Sequence, residues 1–271
     1  MVKITPTKLK IAQMIEDVEI IQGHRAYLGV SQIGETCERK LRYSFRCVKQ
    51  RSVTARVARL LQRGHNEEPI IIADLKKIGI NVHSDQKEVV AGHGHIKGHI
   101  DGIAENVPDA PKTPHLLELK TANDKSFKDV SAKGIQQSKP IHFYQMVIYM
   151  YLLGLKRGLY IIVNKNNDER YYERIKEEPA LAKSKLDDGV RKVIGVDAPM
   201  DKRYKPAWYE CKWCDYYEIC HFDGKIKQHC RTCSHCSIKN NGVFKCITKN
   251  LKLTFTQQMQ GCDEYKKLVG V

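Results

Sequence analysis

A stretch near the middle of the chain, His115-Leu116-Leu117-Glu118-Leu119-Lys120-Thr121, alternates apolar and polar side chains with the period of a β-strand. The alternation puts Glu118 and Lys120 on one face and sends Leu117 and Leu119 to the other, into a core, which predicts a half-buried strand. Upstream, Gly98-His99-Ile100-Asp101-Gly102 reads as the end of a neighbouring strand, so Asp101 can meet Glu118 across a short gap. Two carboxylates placed there can share a divalent cation, and their hard oxygens suit Mg²⁺ or Mn²⁺. Hydrolysis of a phosphodiester needs charge neutralised on the phosphate and a nucleophile made from water, and such a cation serves both needs. Lys120 can orient or deprotonate the attacking water, its pKa lowered by partial burial, or stabilise the charge that builds on the phosphate oxygens. A Glu-x-Lys pair standing alone is also a common surface ion pair, so these residues need support from elsewhere in the chain.

Sulfur is the second source of chemistry. The 271 residues include 10 cysteines, and seven of them fall between Cys211 and Cys246. In a reducing compartment such clusters bind metal rather than pair as disulfides. Cys211, Cys214 and Cys220 follow a C-x2-C-x5-C spacing and fall one ligand short of a closed site. Cys230, Cys233, Cys246 and Cys262 follow C-x2-C-x12-C-x15-C and read as a small zinc knuckle, with Cys236, His235 and His229 as competing ligands. Cys47 is left over, and a free cysteine usually packs as a small hydrophobe. His24, His83, His93, His95 and His142 lack ligand-like partners and read as surface or turn residues.

Three kinds of element must position these groups. The chain reads as helical up to about Gly79: Leu9, Ile11, Met14, Ile15 and Val18 form an apolar stripe after a capping Thr7, and Val53 to Ile78 gives a second helix interrupted near Gly64. Strands are predicted near Val82 to Val90, Ile96 to Glu105, His115 to Thr121, Leu159 to Val163 and Arg170 to Ile175, with a long helix from Gln137 to Lys156 before the fourth. A charged helix from Pro179 to Val193 and a loop carrying Pro199 and Pro206 lead to the cysteine-rich end. That end is poor in aliphatic residues, so metal binding is expected to supply its folding energy. The implied division is a helical region (1–79), a mixed α/β core (80–200), a first cysteine segment (201–225) and a second (226–271).

Lys and Arg number 46 against 31 Asp and Glu, a formal net charge of +15, which attracts polyanions, nucleic acid above all. Between Cys37 and Arg63 nine residues are basic and one is acidic, with Tyr43 and Phe45 interleaved, as on a strand-binding surface. Arg39 and Arg42 are its candidate DNA contacts. No apolar run approaches the roughly 20 residues of a membrane span, and the N-terminus has charges where a signal peptide is apolar. A cytoplasmic protein that binds no membrane is expected.

Asp101 followed by Glu118-Leu119-Lys120 resembles the PD-(D/E)XK nucleases, with Gly-His-Ile-Asp in place of the literal Pro-Asp. Two flanking elements resemble the branch that contains CRISPR-associated RecB-like exonucleases, the RecB nuclease domain and lambda-type exonucleases. Arg63-Gly64-His65-Asn66-Glu67-Glu68-Pro69 looks like its glycine-led helical motif, which points to Glu68 as a third metal ligand, with Glu67 and His65 also in reach of that register. Gln145-Met146-Val147-Ile148-Tyr149 resembles its QxxxY motif, which implies that Gln145 and Tyr149 contact DNA, and Lys165 resembles a basic position used by phage members. The same resemblance makes Cys37 the fourth ligand beside Cys211, Cys214 and Cys220, holding a [4Fe-4S] cluster that staples the two ends of the nuclease domain, with zinc as the rival metal. It also likens the second cysteine set to a zinc-binding tail of phage relatives.

The resemblance implies a restriction-endonuclease-like α/β core, a central mixed sheet flanked by helices, with a small metal-bound C-terminal region. It implies a DNA nuclease dependent on Mg²⁺ or Mn²⁺, an exonuclease acting on single strands or DNA ends in recombination or repair. The expected partners are DNA and recombination or single-strand-binding proteins, in the host cytoplasm for a phage-encoded chain. The alternatives are a structure-specific endonuclease on the same core and a non-catalytic, metal-dependent nucleic-acid-binding protein.

Overall fold

Helix α1 (Pro6–Glu16) leads through β1 (Glu19–Ile21) and β2 (Leu28–Gly29) to α2 (Glu38–Arg46), β3 (Ser52–Thr54) and the long α3 (Ala55–Lys77). Five strands follow: β4 (Asn81–His83), β5 (Glu88–Ala91), β6 (Ile96–His99), β7 (Gly102–Glu105) and β8 (His115–Ala122). Helices α4 (Asp124–Ser138) and α5 (Pro140–Leu153) precede β9 (Arg157–Asn164), β10 (Arg170–Lys176) and α6 (Pro179–Ile194). The cysteine-rich end holds α7 (Tyr209–Lys212), α8 (Tyr217–His221), β11 (Cys236–Ile238), β12 (Phe244–Cys246), β13 (Leu251–Lys252) and α9 (Phe255–Gln258). The computed structural model describes residues 6–194, 204–238 and 242–270; Pro199 of the expected loop lies outside them. No described helix is long and apolar enough to cross a membrane.

The main sheet runs in the order β10-β9-β8-β7-β4, with β8 and β9 parallel and the other neighbours antiparallel. On one face Leu117, Leu119, Leu159 and Ile161 pack with Ile71 and Leu75 of α3. On the other, Leu116, Tyr160 and Ile162 pack with Phe143, Met146 and Met150 of α5 and with Phe127 and Val130 of α4. Each such aliphatic side chain contributes about 1.5–3 kcal/mol by leaving water. The result is an α/β fold with a mixed sheet between helical layers, in keeping with a restriction-endonuclease-like core. Because α4 and α5 cover the face that carries Glu118, β8 is buried on both sides and not half-buried as the alternation suggested. Parallel central strands of this kind have near-continuous apolar runs, as Gly158-Leu159-Tyr160-Ile161-Ile162-Val163 does.

Several boundaries differ from the sequence reading for identifiable reasons. The segment from Ile96 to Glu105 is two strands because the chain changes sheets at Ile100-Asp101: β6 pairs with β5 and β2, whereas β7 pairs with β8 and β4. The stretch from Val82 to Val90 divides between the same two sheets. Helix α3 continues through both Gly64 and Pro69, held by its packing on the sheet. The helix predicted from Gln137 to Lys156 is α5, ended by Gly154 in the left-handed region (φ 69°), and α4 before it was not foreseen. Helix α1 forms, but Thr7 lies inside it rather than capping it, and Leu9, Ile11, Met14 and Ile15 are each at least half exposed.

Candidate active site

The change of sheets at Ile100-Asp101 is what creates the site. Ile100 is fully buried and anchors the crossing, so the next side chain, Asp101, comes out beside β8. Its Oδ2 accepts a hydrogen bond from the Leu119 N–H at 2.7 Å, which fixes the carboxylate between Glu118 and Lys120. The Lys120 ammonium lies 3.8 Å from Asp101 Oδ2, contacts Glu118 Oε1 and donates to the Leu119 carbonyl at 3.1 Å. Glu118 is 0% exposed, and neither carboxylate oxygen has a hydrogen bond among the described residues apart from the ion pair with Lys120.

Burial raises the Glu118 carboxyl to about 7; Lys120 opposes that shift, and Asp101 adds to it. Burial alone lowers the Lys120 ammonium, but Glu118 and Asp101 outweigh it and leave the ammonium above its ordinary value. The sequence expectation of a lowered Lys120 is thereby reversed, because three carboxylates, Glu118, Asp101 and Glu68, surround it. Glu68 reaches the group from α3. Its carboxyl is raised by burial and by Asp101, while His65, with Nδ1 3.4 Å from Glu68 Oε1, pulls it down. The Gln86 amide donates to Glu68 Oε2 at 3.4 Å. A cleft of about 270 Å³ opens here between α3 and β8, lined by Leu60, Gly64, Glu67, Glu68, Lys120 and Thr121, among others.

Behind the carboxylates stands α5. Gln145 and Tyr149 are 7% and 2% exposed and hydrogen-bonded to each other, so in this conformation they back the site rather than face a DNA strand. Burial, then Glu118 and Asp101, hold the Tyr149 phenol above its ordinary value. The Tyr149 ring lies so close to β6 that a Cβ at Gly98 would stand 2.1 Å from its hydroxyl. His142, expected at the surface, joins the same face of α5. Its Nδ1 is 3.0 Å from the Tyr160 hydroxyl, burial with the nearby Lys120 lowers its pKa to about 3, and Tyr160 is the register partner of Glu118. The i, i+3, i+7 spacing of His142, Gln145 and Tyr149 carried this signal. His95 is likewise buried, between Phe45 and Phe244 at 5.6 and 5.5 Å, with burial holding its pKa to about 4.

Lys165 is part-exposed just after β9, its N–H bonded to the Ala122 carbonyl at 2.8 Å and its own carbonyl accepting from Arg63 at 2.9 Å. Arg39 is part-exposed and donates to the Tyr43 hydroxyl at 3.0 Å. Arg42, expected on the DNA surface, is 2% exposed, because α2 turns that face into the core with Leu41 and Phe45.

Cys37 caps the N-terminus of α2 and lines one cleft with Cys211 and Cys214. Burial, then the thiols of Cys37 and Cys220, raise Cys211. In the tail, burial and then Cys262, Cys233 and Cys246 raise Cys230, while Cys236 faces Cys246 across the β11–β12 pair. Each expected cysteine set is thus drawn into one neighbourhood. Among the described residues, however, no three His, Cys, Asp or Glu side chains meet at one metal-binding point. In the carboxylate group the Lys120 ammonium occupies the centre.

A family model described as the PD-(D/E)XK nuclease superfamily matches residues 30–221. No curated protein matches the chain. Among solved structures it is similar to SSO0001, at 18% identity over 79% of this chain and 92% of that one, with a TM-score of 0.43. It is also similar to the alkaline exonuclease LHK-Exo from Laribacter hongkongensis, at 16% identity over 62% and 87%, TM-score 0.44. A phage related exonuclease from Haemophilus somnus 129PT is similar at 14% identity over 48% and 67%, TM-score 0.36.

Proposed function

The chain belongs to the PD-(D/E)XK nuclease superfamily, and from that premise we propose that it is a divalent-cation-dependent deoxyribonuclease, an exonuclease acting on single strands or DNA ends. The convergence of Asp101, Glu118 and Lys120 carries this reading: one carboxylate is pinned to the β8 backbone at 2.7 Å, the other is fully buried, and an ammonium stands against both. Glu68, Asp101 and Glu118 are the residues that would hold Mg²⁺ or Mn²⁺, and the ion would supply charge neutralisation and activation of water. The donor set fits, being all carboxylate, with two buried Glu118 oxygens whose sole partner among the described residues is the Lys120 ammonium.

Lys120, kept charged by its neighbours, stabilises the negative charge that grows on the phosphate. The buried Gln145–Tyr149 pair lies near Glu118 and Asp101, and His142 lies near Lys120. Lys165 and Arg39, the part-exposed members of the expected DNA-binding set, take the DNA backbone. Cys37, Cys211, Cys214 and Cys220 would hold a [4Fe-4S] cluster, and Cys230, Cys233, Cys246 and Cys262 would hold zinc, each as a staple that ties its segment to the fold. The mutual proximity of the thiols in each set supports both assignments.

Lys120→Ala is expected to lower cleavage of labelled DNA with Mg²⁺ or Mn²⁺ by at least about 100-fold while the protein stays folded. Undiminished cleavage would remove the catalytic assignment. Circular single-stranded DNA should survive the wild-type protein, and its linearisation would make the enzyme an endonuclease. Anaerobically purified protein should be coloured; a colourless preparation containing only zinc would assign zinc to the first cysteine set.

A further inference from the structure

The two tryptophans of the chain, Trp208 and Trp213, are both on the surface, at 44% and 88% exposure, with Tyr209 between them at 62%. Large aromatics left in water in one patch mark a binding surface more often than an accident of folding. Tyr204 stacks on Trp208 with centroids 5.2 Å apart and an interplanar angle of 12°, and Tyr209 leans on Trp208 at 5.2 Å. Basic residues are interleaved with the rings: Lys205 and Lys212 are exposed, and one acidic residue, Glu210, lies among them and accepts from the Tyr209 hydroxyl at 3.1 Å. This alternation of flat rings and cations is the composition that takes up single strands, with bases stacking on the rings and phosphates on the lysines.

The patch forms the rim of a cleft of about 720 Å³ that reaches Tyr144 on α5 and whose lining includes Cys37, Cys211 and Cys214, so the cysteines would take the floor of the cleft and the rings its outer edge. Carboxylates line it as well, but the main ones are neutralised: Glu35 is paired with Lys40 at 2.6 Å, Asp188 with Lys192 at 2.5 Å and Glu38 with Arg191 at 3.1 Å. Lys185 has no carboxylate partner among the described residues and lies 4.3 Å over the Tyr144 ring. Helix α5 joins this cleft to the catalytic centre. Ile141 and Tyr144 face the cleft, while His142, Gln145 and Tyr149 back the carboxylates. A strand held on the aromatic rim of this cleft thus lies on one side of α5, with the catalytic carboxylates on the other.

We propose that the surface formed by Tyr204, Trp208, Tyr209, Trp213 and Lys185 is a base-stacking site for single-stranded DNA, separate from the catalytic carboxylates. The assignment rests on the nuclease reading above for the nature of its ligand. Its role is to hold the strand that enters or leaves the catalytic cleft.

The test uses the full chain without added Mg²⁺ or Mn²⁺ and without chelator, so that binding is read without cleavage and bound structural metal is kept. Because both tryptophans lie on this surface, titration with oligothymidine is expected to quench the intrinsic fluorescence directly. Trp208→Ala with Trp213→Ala is expected to weaken binding of a dye-labelled oligothymidine about tenfold, and Lys185→Ala to weaken it several-fold, while the metal content of the protein is unchanged. Oligothymidine that leaves the fluorescence unaltered, or binds the double variant as tightly as wild type, overturns the proposal. So does a change in sedimentation of the variant with unchanged DNA affinity, which would give the patch to a second copy of the chain. Failure of the nuclease reading is seen separately, as cleavage that Lys120→Ala does not diminish.

Discussion

At the scale of single residues, Asp101 combines two jobs that a substitution can separate. Its Oδ2 accepts from the Leu119 N–H at 2.7 Å, and an amide oxygen can accept the same bond, so Asp101→Asn should keep the crossing from β6 to β7 while removing the charge. Thermal unfolding is expected to move little, and DNA cleavage to fall by at least about 100-fold; a large fall in both would make Asp101 a structural residue first. His95 gives a pH dependence of defined sign. It is buried among aromatics with its pKa lowered from 6.5 to about 4, so below the unfolded value the unfolded chain binds a proton that the folded chain refuses. Stability is therefore present in full above pH 6.5 and drains away as pH falls toward 4, by about 2 kcal/mol between pH 7 and pH 5. His95→Phe keeps an aromatic ring there without a titrating group. Urea midpoints at the two pH values should differ by less in that variant than in wild type.

At the scale of elements, the contact of β6 with α5 is the one that the active site can least do without. A Cβ at Gly98 would lie 2.1 Å from the Tyr149 hydroxyl and 2.9 Å from the ring carbon that bears it, so Gly98→Ala must displace the buried Tyr149 ring. The expected cost is about 1–3 kcal/mol, read by chemical denaturation. Adding Tyr149→Phe should restore part of it, because the closest atom is then gone and the two changes couple. No sequence pattern announced Gly98. Its constraint comes from a helix roughly fifty residues away, and pairing of that range leaves no local signature. What could be read locally was read correctly: the strand with Glu118 and Lys120, the helix with Gln145 and Tyr149, and the α/β class. What failed depended on partners. Arg42 sits in a basic run that looks like a strand-binding face until α2 is docked, and Ile96 to Glu105 looks like one strand until it serves two sheets. Burial of Glu118 on a second face could not be inferred without α4, whose polar sequence and internal break at Gly134 (φ 76°) hide its period.

At the scale of the whole molecule, the two cysteine regions are joined through α2. Cys37 caps its first turn, and at its other end Arg46 donates to the Arg231 carbonyl at 3.3 Å, while His229 Nε2 is 3.0 Å from the Cys47 carbonyl. Arg231, set between Cys230 and Cys233, is 0% exposed. Its Nη1 donates to the Ala26 carbonyl at 3.1 Å and to Gln258 Oε1 at 3.2 Å, and its guanidinium lies 4.6 Å from the centres of both Phe45 and Phe244. One hydrophobic cluster runs from Leu28 and Phe45 through the sheet to Cys233 and Phe244, so the tail is part of the core and not an appendage. Arg231→Ala removes a long, fully buried side chain at that junction and leaves a cavity, at an expected cost of about 2–5 kcal/mol. Arg231→Met fills most of the same volume without a charge to desolvate, so it should cost much less. If the junction couples the two ends, the Ala variant will show faster labelling of the Cys37 thiol as well as of Cys230, both read by mass spectrometry under native conditions. Labelling that rises at Cys230 alone would mean that the tail opens by itself and that α2 transmits nothing to the first cysteine region.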